Sequence, residues 1–190
     1  MNTIKYEVTF HTDWHCGSGL AAGADVDALV VKDKDDMPFI PGKTIKGLVR
    51  EAVEEIRSIQ DKKDDEAFVK AFGFFDNKEQ KNKGCMFFTN ATLDNKEHEA
   101  IVSNHAARFM YRDIANTAID NDGIAKEHSL RKIQVVVPCT LYGEILEVPD
   151  EMVDEIIESL QFIKRLGQNR NRGLGRCTII GRKEDSNENA

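Results

Sequence analysis

Two apolar stripes at helical spacing, one in each half of the chain, set the strongest limit on the fold. Ile45, Leu48, Val49, Ala52, Val53, Ile56 and Ile59 recur three and four residues apart, the spacing that lines one side of an α-helix. Met152, Val153, Ile156, Ile157, Leu160 and Ile163 repeat the pattern between Pro149 and Leu166. A helix with one apolar side must lay that side on something, and alternating segments supply it. From Thr3 to Thr12 every second residue is apolar (Ile4, Tyr6, Val8, Phe10), the period of a half-buried strand. Cys85 to Leu93, Ile133 to Leu146 and Cys177 to Ile180 read as further strands. Pro41-Gly42 starts the first helix near Lys43 or Thr44, and Asp64 to Phe72 reads as a short helix ended by Gly73. Ala28 to Lys32 and Pro38 to Ile40 look like a small hairpin around Asp33 to Asp36.

The order strand, helix, strand, excursion, strand, helix, strand predicts an α+β class. It is a ferredoxin-like βαββαβ core, the topology shared with RNA-recognition motifs. The stacked aromatics of an RNP1 motif are absent. Lys96 to Lys132 holds no sustained period and is rich in Asn, Asp, His and Ala. It reads as an insertion, spanning about 94–132, with some helix near Glu97 to Met110. The expected organisation is one domain over residues 1–183 and a polar, disordered tail over 184–190.

Charge argues against nucleic acid on average and for it locally. The net charge is -7, yet Gln161 to Lys183 carries seven cations and no acid, whereas Glu144 to Glu158 carries seven acids and no cation. Fields are screened within about 8–10 Å at physiological salt, so a local basic surface still binds phosphate. Cys16, Cys85, Cys139 and Cys177 are scattered with no C-x-x-C pair, which favours reduced thiols over a zinc knuckle or a disulfide scaffold. No apolar run approaches about 18 residues, and Met1 to Lys5 lacks the apolar core of a signal peptide. A soluble cytoplasmic protein is expected.

Two segments carry chemistry. In Pro41-Gly42-Lys43-Thr44-Ile45-Lys46-Gly47-Leu48-Val49-Arg50, the cations Lys43, Lys46 and Arg50 share one helix face away from the apolar stripe. Lys43 stands at the helix N-terminus, where free N–H groups and the dipole favour phosphate. A capped helix with a solvated basic face would have the same spacing. In Leu166-Gly167-Gln168-Asn169-Arg170-Asn171-Arg172-Gly173-Leu174-Gly175-Arg176, glycines permit unusual backbone angles, while Arg170, Arg172 and Arg176 present guanidinium forks. A helix C-cap followed by a turn explains Gly167 but not three arginines among glycines. Arg131 and Lys132 at the end of the insertion, and His15, complete the expected RNA-binding set. His98, His105 and His128 have no ligand spacing and are assigned no metal.

Taken in order, these motifs resemble the RAMP superfamily of CRISPR-associated proteins, and within it the repeated backbone subunits of type III effector complexes. The resemblance runs from Trp14-His15-Cys16-Gly17-Ser18-Gly19 through Asp27 to Asp33, the Pro41 to Gly47 element, Phe72-Gly73 and Ala118-Ile119-Asp120. Gly123 to Glu127 and the Gly167 to Gly175 segment close it. Gln168 stands where relatives often carry glycine. The family implies a crRNA-binding subunit that stacks on copies or relatives of itself, with a target RNA paired to the guide. It also implies a thumb hairpin, here around Ile114 to Lys132, that splays guide from target.

In catalytically active members an aspartate in the loop before the hairpin cuts target RNA with a divalent metal. The matching residue is Asp27, which would bind Mg²⁺ or another divalent cation, with Asp25 placed to assist. The chemistry is sound: Mg²⁺ binds through one or two carboxylates plus phosphate and keeps several waters, and it activates an attacking hydroxyl while stabilising charge on phosphorus. Aspartates are also common in turns without any such role. Two alternatives stay open, a structural guide-holding subunit without activity and a metal-independent guide-processing ribonuclease using His15 as acid or base.

Overall fold

The structure is a computed structural model that describes residues 1–21, 26–63, 65–76, 79–126 and 128–184. In chain order the elements are β1 (Asn2–Phe10), α1 (Gly42–Ile59), α2 (Glu66–Phe72), β2 (Gly73–Asp76), β3 (Glu79–Lys83), β4 (Phe87–Phe88), α3 (Asn95–Ser103), β5 (Tyr111–Asn116), β6 (Arg131–Val136), β7 (Thr140–Val148), α4 (Val153–Phe162) and β8 (Cys177–Lys183).

Four strands form an antiparallel sheet in the order β4-β7-β1-β8. With α1 following β1 and α4 joining β7 to β8, this is the ferredoxin-like arrangement. β1 is central because its alternation serves both neighbours. Tyr6 faces Gly143 on one side and Gly181 on the other, and Val8 faces Leu141 and Ile179. Ile4, Tyr6, Val8 and Phe10 all point into the core, none more than 3% exposed. Both glycines opposite Tyr6 make room: a Cβ on Gly143 would stand 2.4 Å from the Tyr6 hydroxyl, and one on Gly181 2.6 Å from Leu160. Burial of each such large side chain contributes about 1.5–3 kcal/mol.

Helix α1 sets Ile45, Val49, Ala52, Val53 and Ile56 in the core, but the stripe ends differently from its expected form. Ile59 is 73% exposed, and Arg57, on the same row as Val49 and Val53, is buried instead. Its guanidinium donates to both Glu155 oxygens at 2.7 Å, lies 3.4 Å from Asp65 and packs 5.0 Å from the Phe68 ring. One side chain thus clamps α1, α2 and α4 together. Asp65 also caps α2, accepting from the Phe68 amide.

Two expected strands and one expected hairpin change shape. The segment Cys85 to Leu93 keeps only β4 as a strand, with single bridges at Ala91 and Thr92. The segment Ile133 to Leu146 divides around Pro138 into β6, which pairs with β5, and β7, which belongs to the main sheet. A proline cannot donate to a ladder, so the run breaks there. Ala28–Lys32 and Pro38–Ile40 touch through one bridge, Lys32 to Pro38. The insertion therefore holds α3, a 3-10 turn over Ala107–Met110 and the β5–β6 hairpin, whose second strand runs past the expected boundary at Lys132. Glu184 is held to the sheet through Thr3, and the rest of the expected tail lies outside the described residues. No helix among the described residues is long and apolar enough to cross a membrane.

Candidate nucleic-acid interface

Four segments distant in sequence are tied into one patch by main-chain hydrogen bonds. Residues 13–18 pair with residues 29–31 through Ser18 N to Leu29 O and Val31 N to Cys16 O. Trp14 exchanges both main-chain bonds with Val136 at the end of β6. Gln168 N donates to His15 O, and Gly175 N donates to Asp13 O. The glycine-rich loop thus lies directly on the N-terminal loop, and its glycines are needed there. Gly167 has φ +96° and a Cβ on it would stand 2.4 Å from His15 O; Gly175 has φ +70° and its Cβ would stand 1.9 Å from Leu166 O. Between them Arg170–Arg172 forms a 3-10 turn flanked by left-handed Asn169 and Gly173.

This geometry leaves the arginines outward. Arg170, Arg172 and Arg176 are exposed, and their guanidinium groups make no ion pair among the described residues. Arg172 lines a recess of about 830 Å³ with Asn116, Lys126, His128 and Arg131 of the inserted hairpin. Arg170 borders a second recess of about 590 Å³ with Lys164, Arg165 and the α1 residues Glu51 and Glu55. The hairpin itself is anchored to the N-terminal loop by the Arg112–Asp13 ion pair, Asp13 being buried. Sequence patterning misses that pair, because neither residue stands in a motif.

Asp27 sits at the root of the hairpin. Its main chain donates to Lys132 O at 2.8 Å, and its carboxylate accepts from Lys132 N at 2.8 Å. Ala28 O accepts from Gln134 N, so the chain at Ala28 lies beside β6 through a single parallel bridge to Ile133. The Asp27 side chain is exposed, as are Arg131 and Lys132. An exposed carboxylate with one oxygen oriented by a backbone N–H fits the mode in which Mg²⁺ is bound by few protein ligands together with phosphate. Asp25 lies outside the described residues.

Two groups of expected RNA-binding residues are placed otherwise. His15 is wholly buried, with Nδ1 donating to Gln134 O at 2.6 Å; a side chain in that position contacts neither phosphate nor base. Lys43, Lys46 and Arg50 do share a helix face, but β4 and α2 lie beside it. Lys46 is half-buried, donates to Met86 O at 3.4 Å, and is held below the usual lysine range by burial. Arg50 pairs with Glu54 at 2.8 Å and packs 5.6 Å from the Phe68 ring. Lys43 alone of the three is exposed, near the buried Cys16 thiol. The helix dipole gains nothing here for a ligand at Gly42, whose N–H is taken by Asn90; a Cβ on Gly42 would collide with Phe88 O at 2.0 Å.

The four cysteines are unpaired, and burial pushes the Cys139 and Cys177 thiols up to about 11. Asp33, Asp35 and His98, by contrast, converge: their ligand atoms all lie within 4.8 Å of one another. Sequence spacing offers His98 no ligand partner; in the structure two carboxylates of a distant turn stand beside it.

Comparison with known proteins agrees with this architecture. No curated protein matches the chain significantly in sequence. Among solved structures, a chain of the type III-B Cmr-beta complex bound to cognate target RNA superposes with a TM-score of 0.71 at 12% identity, covering 94% of this chain and 96% of that one. A chain of the Cmr-beta complex in its apo state gives 0.69 at 12% identity, over 97% and 98%. These likenesses establish the fold. The RAMP superfamily model matches residues 7–178, a span that runs from the second half of β1 through both core helices, the inserted hairpin and the glycine-rich loop to the start of β8; the chain belongs to the RAMP superfamily.

Proposed function

We propose that this chain is an RNA-binding backbone subunit of a type III CRISPR effector complex in the cytoplasm. Its partners are a crRNA, the target RNA paired to it, and further copies or relatives of the chain. Residues 1–183 act as one domain. The observation that carries the reading is the recess shared by Arg172 of the glycine-rich loop and by Lys126 and Arg131 of the hairpin, cations that make no ion pair among the described residues, with the exposed Asp27 bonded to Lys132, the neighbour of Arg131. Cations held on bent main chain meet a sugar-phosphate strand without reading its bases. The contacting set is Arg131, Lys132, Arg170, Arg172 and Arg176, with Lys43 at the margin.

Asp27 is the residue proposed to cut target RNA. A divalent cation held by its carboxylate would polarise the scissile phosphate and lower the pKa of the attacking group. The chain's own part is to fix that carboxylate against Lys132 N and to hold the strand on neighbouring cations. A second reading, guide-holding without cleavage, is favoured by one fact: an Asp27 oxygen already accepts from Lys132 N at 2.8 Å across the base of the hairpin. The reading with His15 as a processing acid or base is not supported, because His15 is buried.

The test is cleavage of guide-paired target by the assembled complex, with and without EDTA. Loss in EDTA and in Asp27→Ala, with guide binding retained, supports catalysis. Guide binding with no cleavage in any condition leaves the structural role. Absence of RNA binding, or binding indifferent to Arg172→Ala, refutes the interface.

A further inference from the structure

We infer that Asp33, Asp35 and His98 form a site for a divalent transition-metal ion that ties the insertion to the body of the domain. The inference does not rest on the RNA reading. Asp33 is held rigidly: its Oδ1 accepts from Asp35 N at 2.8 Å and from Met37 N at 2.9 Å. That leaves Oδ2 toward the Nε2 of His98, at 3.4 Å, while Asp35 Oδ2 stands 3.6 Å from the same nitrogen.

Both separations exceed the roughly 2.7–2.9 Å of a charge-assisted hydrogen bond. They match a different geometry. Bonds of about 2.0–2.2 Å from zinc to nitrogen and oxygen, at tetrahedral angles, put neighbouring ligand atoms about 3.3–3.6 Å apart. Three protein ligands with a fourth position for water is a familiar zinc arrangement. The imidazole nitrogen favours zinc or a similar first-row ion over Mg²⁺, which prefers oxygen.

The three side chains are each about 26–33% exposed, partly withdrawn yet reachable by an ion. Two carboxylates this close favour a shared cation, and Lys34, 3.9 Å from Asp35 Oδ2 but 89% exposed, is too loosely held to fill that place. The mechanical setting gives the site a purpose. Helix α3 contributes no fully buried residue, so little packing holds it to the turn at Asp33–Asp36. The other tie nearby is Tyr111, whose hydroxyl donates to Asp36 O at 2.5 Å and whose ring lies 3.9 Å from the Lys32 ammonium. An ion across Asp33, Asp35 and His98 would lock the start of the insertion to the same turn.

Zn²⁺ is titrated calorimetrically into the full chain, with Mg²⁺ and Mn²⁺ as parallel arms. One saturable Zn²⁺ site is expected, tighter than for Mg²⁺. It weakens by at least about tenfold in His98→Ala and in Asp33→Asn, and is unchanged in Asp154→Asn, at an exposed acid of α4. Asp33→Asn keeps an oxygen for the turn, so its loss of binding is not a loss of fold; a melt without metal verifies that. Zn²⁺ is also expected to slow hydrogen exchange over Asn95–Ser103. Zn²⁺ bound equally by all three variants, or no saturation by about millimolar metal, overturns the site. A stability loss in His98→Ala measured without metal, with no Zn²⁺ taken up by the parent chain, assigns the cluster to a plain ion pair and overturns it too.

Discussion

Gly175→Ala is the substitution that interrogates the glycine-rich loop most directly. The added Cβ would stand 1.9 Å from Leu166 O, at a residue with φ +70°. The left-handed conformation costs an alanine about 1–2 kcal/mol. Relieving the contact also strains the bonds Leu166 N to Gly175 O at 2.9 Å and Gly175 N to Asp13 O at 2.7 Å, each worth about 0.5–1.5 kcal/mol. The total is about 2–5 kcal/mol, or a melting temperature lower by roughly 5–15 °C for a chain of this size. Two other glycines calibrate the result. Gly173 has φ +90° but nothing within 4 Å of its Cβ, so Gly173→Ala carries strain alone, about 1–2 kcal/mol. Gly47 lies within α1 with open space at its Cβ, and Gly47→Ala gains about 0.5–1 kcal/mol. Thermal melts order the three. In a salt titration of RNA affinity, displacing Arg170, Arg172 and Arg176 removes about 0.7 from the slope for each lost single-strand phosphate contact. Gly175→Ala no more costly than Gly173→Ala would refute the close approach and the loop seating with it.

Arg57→Ala is expected to cost about 3 kcal/mol in urea unfolding, because it leaves Glu155, 11% exposed, with only the half-exposed Lys62 ammonium at 3.6 Å; the double replacement Arg57→Met with Glu155→Leu recovers most of it. Asp65 is held below the usual carboxylate range, first by the Phe68 amide and then by Arg57. Its depressed folded pKa contributes stability above the unfolded value, about 3.9, and that contribution is lost as pH falls through the folded pKa. Asp65→Asn keeps the cap and flattens the acid limb of a stability–pH curve; an unchanged limb contradicts the assignment. His15→Leu removes the donor to Gln134 O and costs about 1–3 kcal/mol, whereas His15→Asn, whose amide reaches the Nδ1 position, recovers part of it in the same melts.

What the sequence made legible follows from periodicity. β1, α1, α4 and β8 were readable because their apolar repeats point at one shared core. Arg57 was hidden by its charge, although its spacing from Val53 placed it on the buried row, where Ile59 does not lie. Lys46 and Arg50 illustrate a different limit. A helix's own residues show which of them share a face but not what packs beside it, and here β4 and α2 take up two of three cations. His15 sits among glycines, a composition that suggests an open loop; the glycine-rich loop closes over it from far along the chain. Asp33, Asp35 and His98 were invisible as a set, since sequence spacing reveals only ligands that a single element brings together. The arginines among glycines were legible, because no packing role accounts for charged forks on so bent a main chain.

The bonding of Asp27 to Lys132 has a mechanical consequence. With both main-chain and carboxylate ties to one residue, and Ala28 O bonded to Gln134 N, the acid is hinged to the hairpin rather than to the sheet. Anything that levers the hairpin swings the carboxylate through the same arc. Such a displacement would keep the separation of acid and hairpin and change the distance from the acid to the arginine loop.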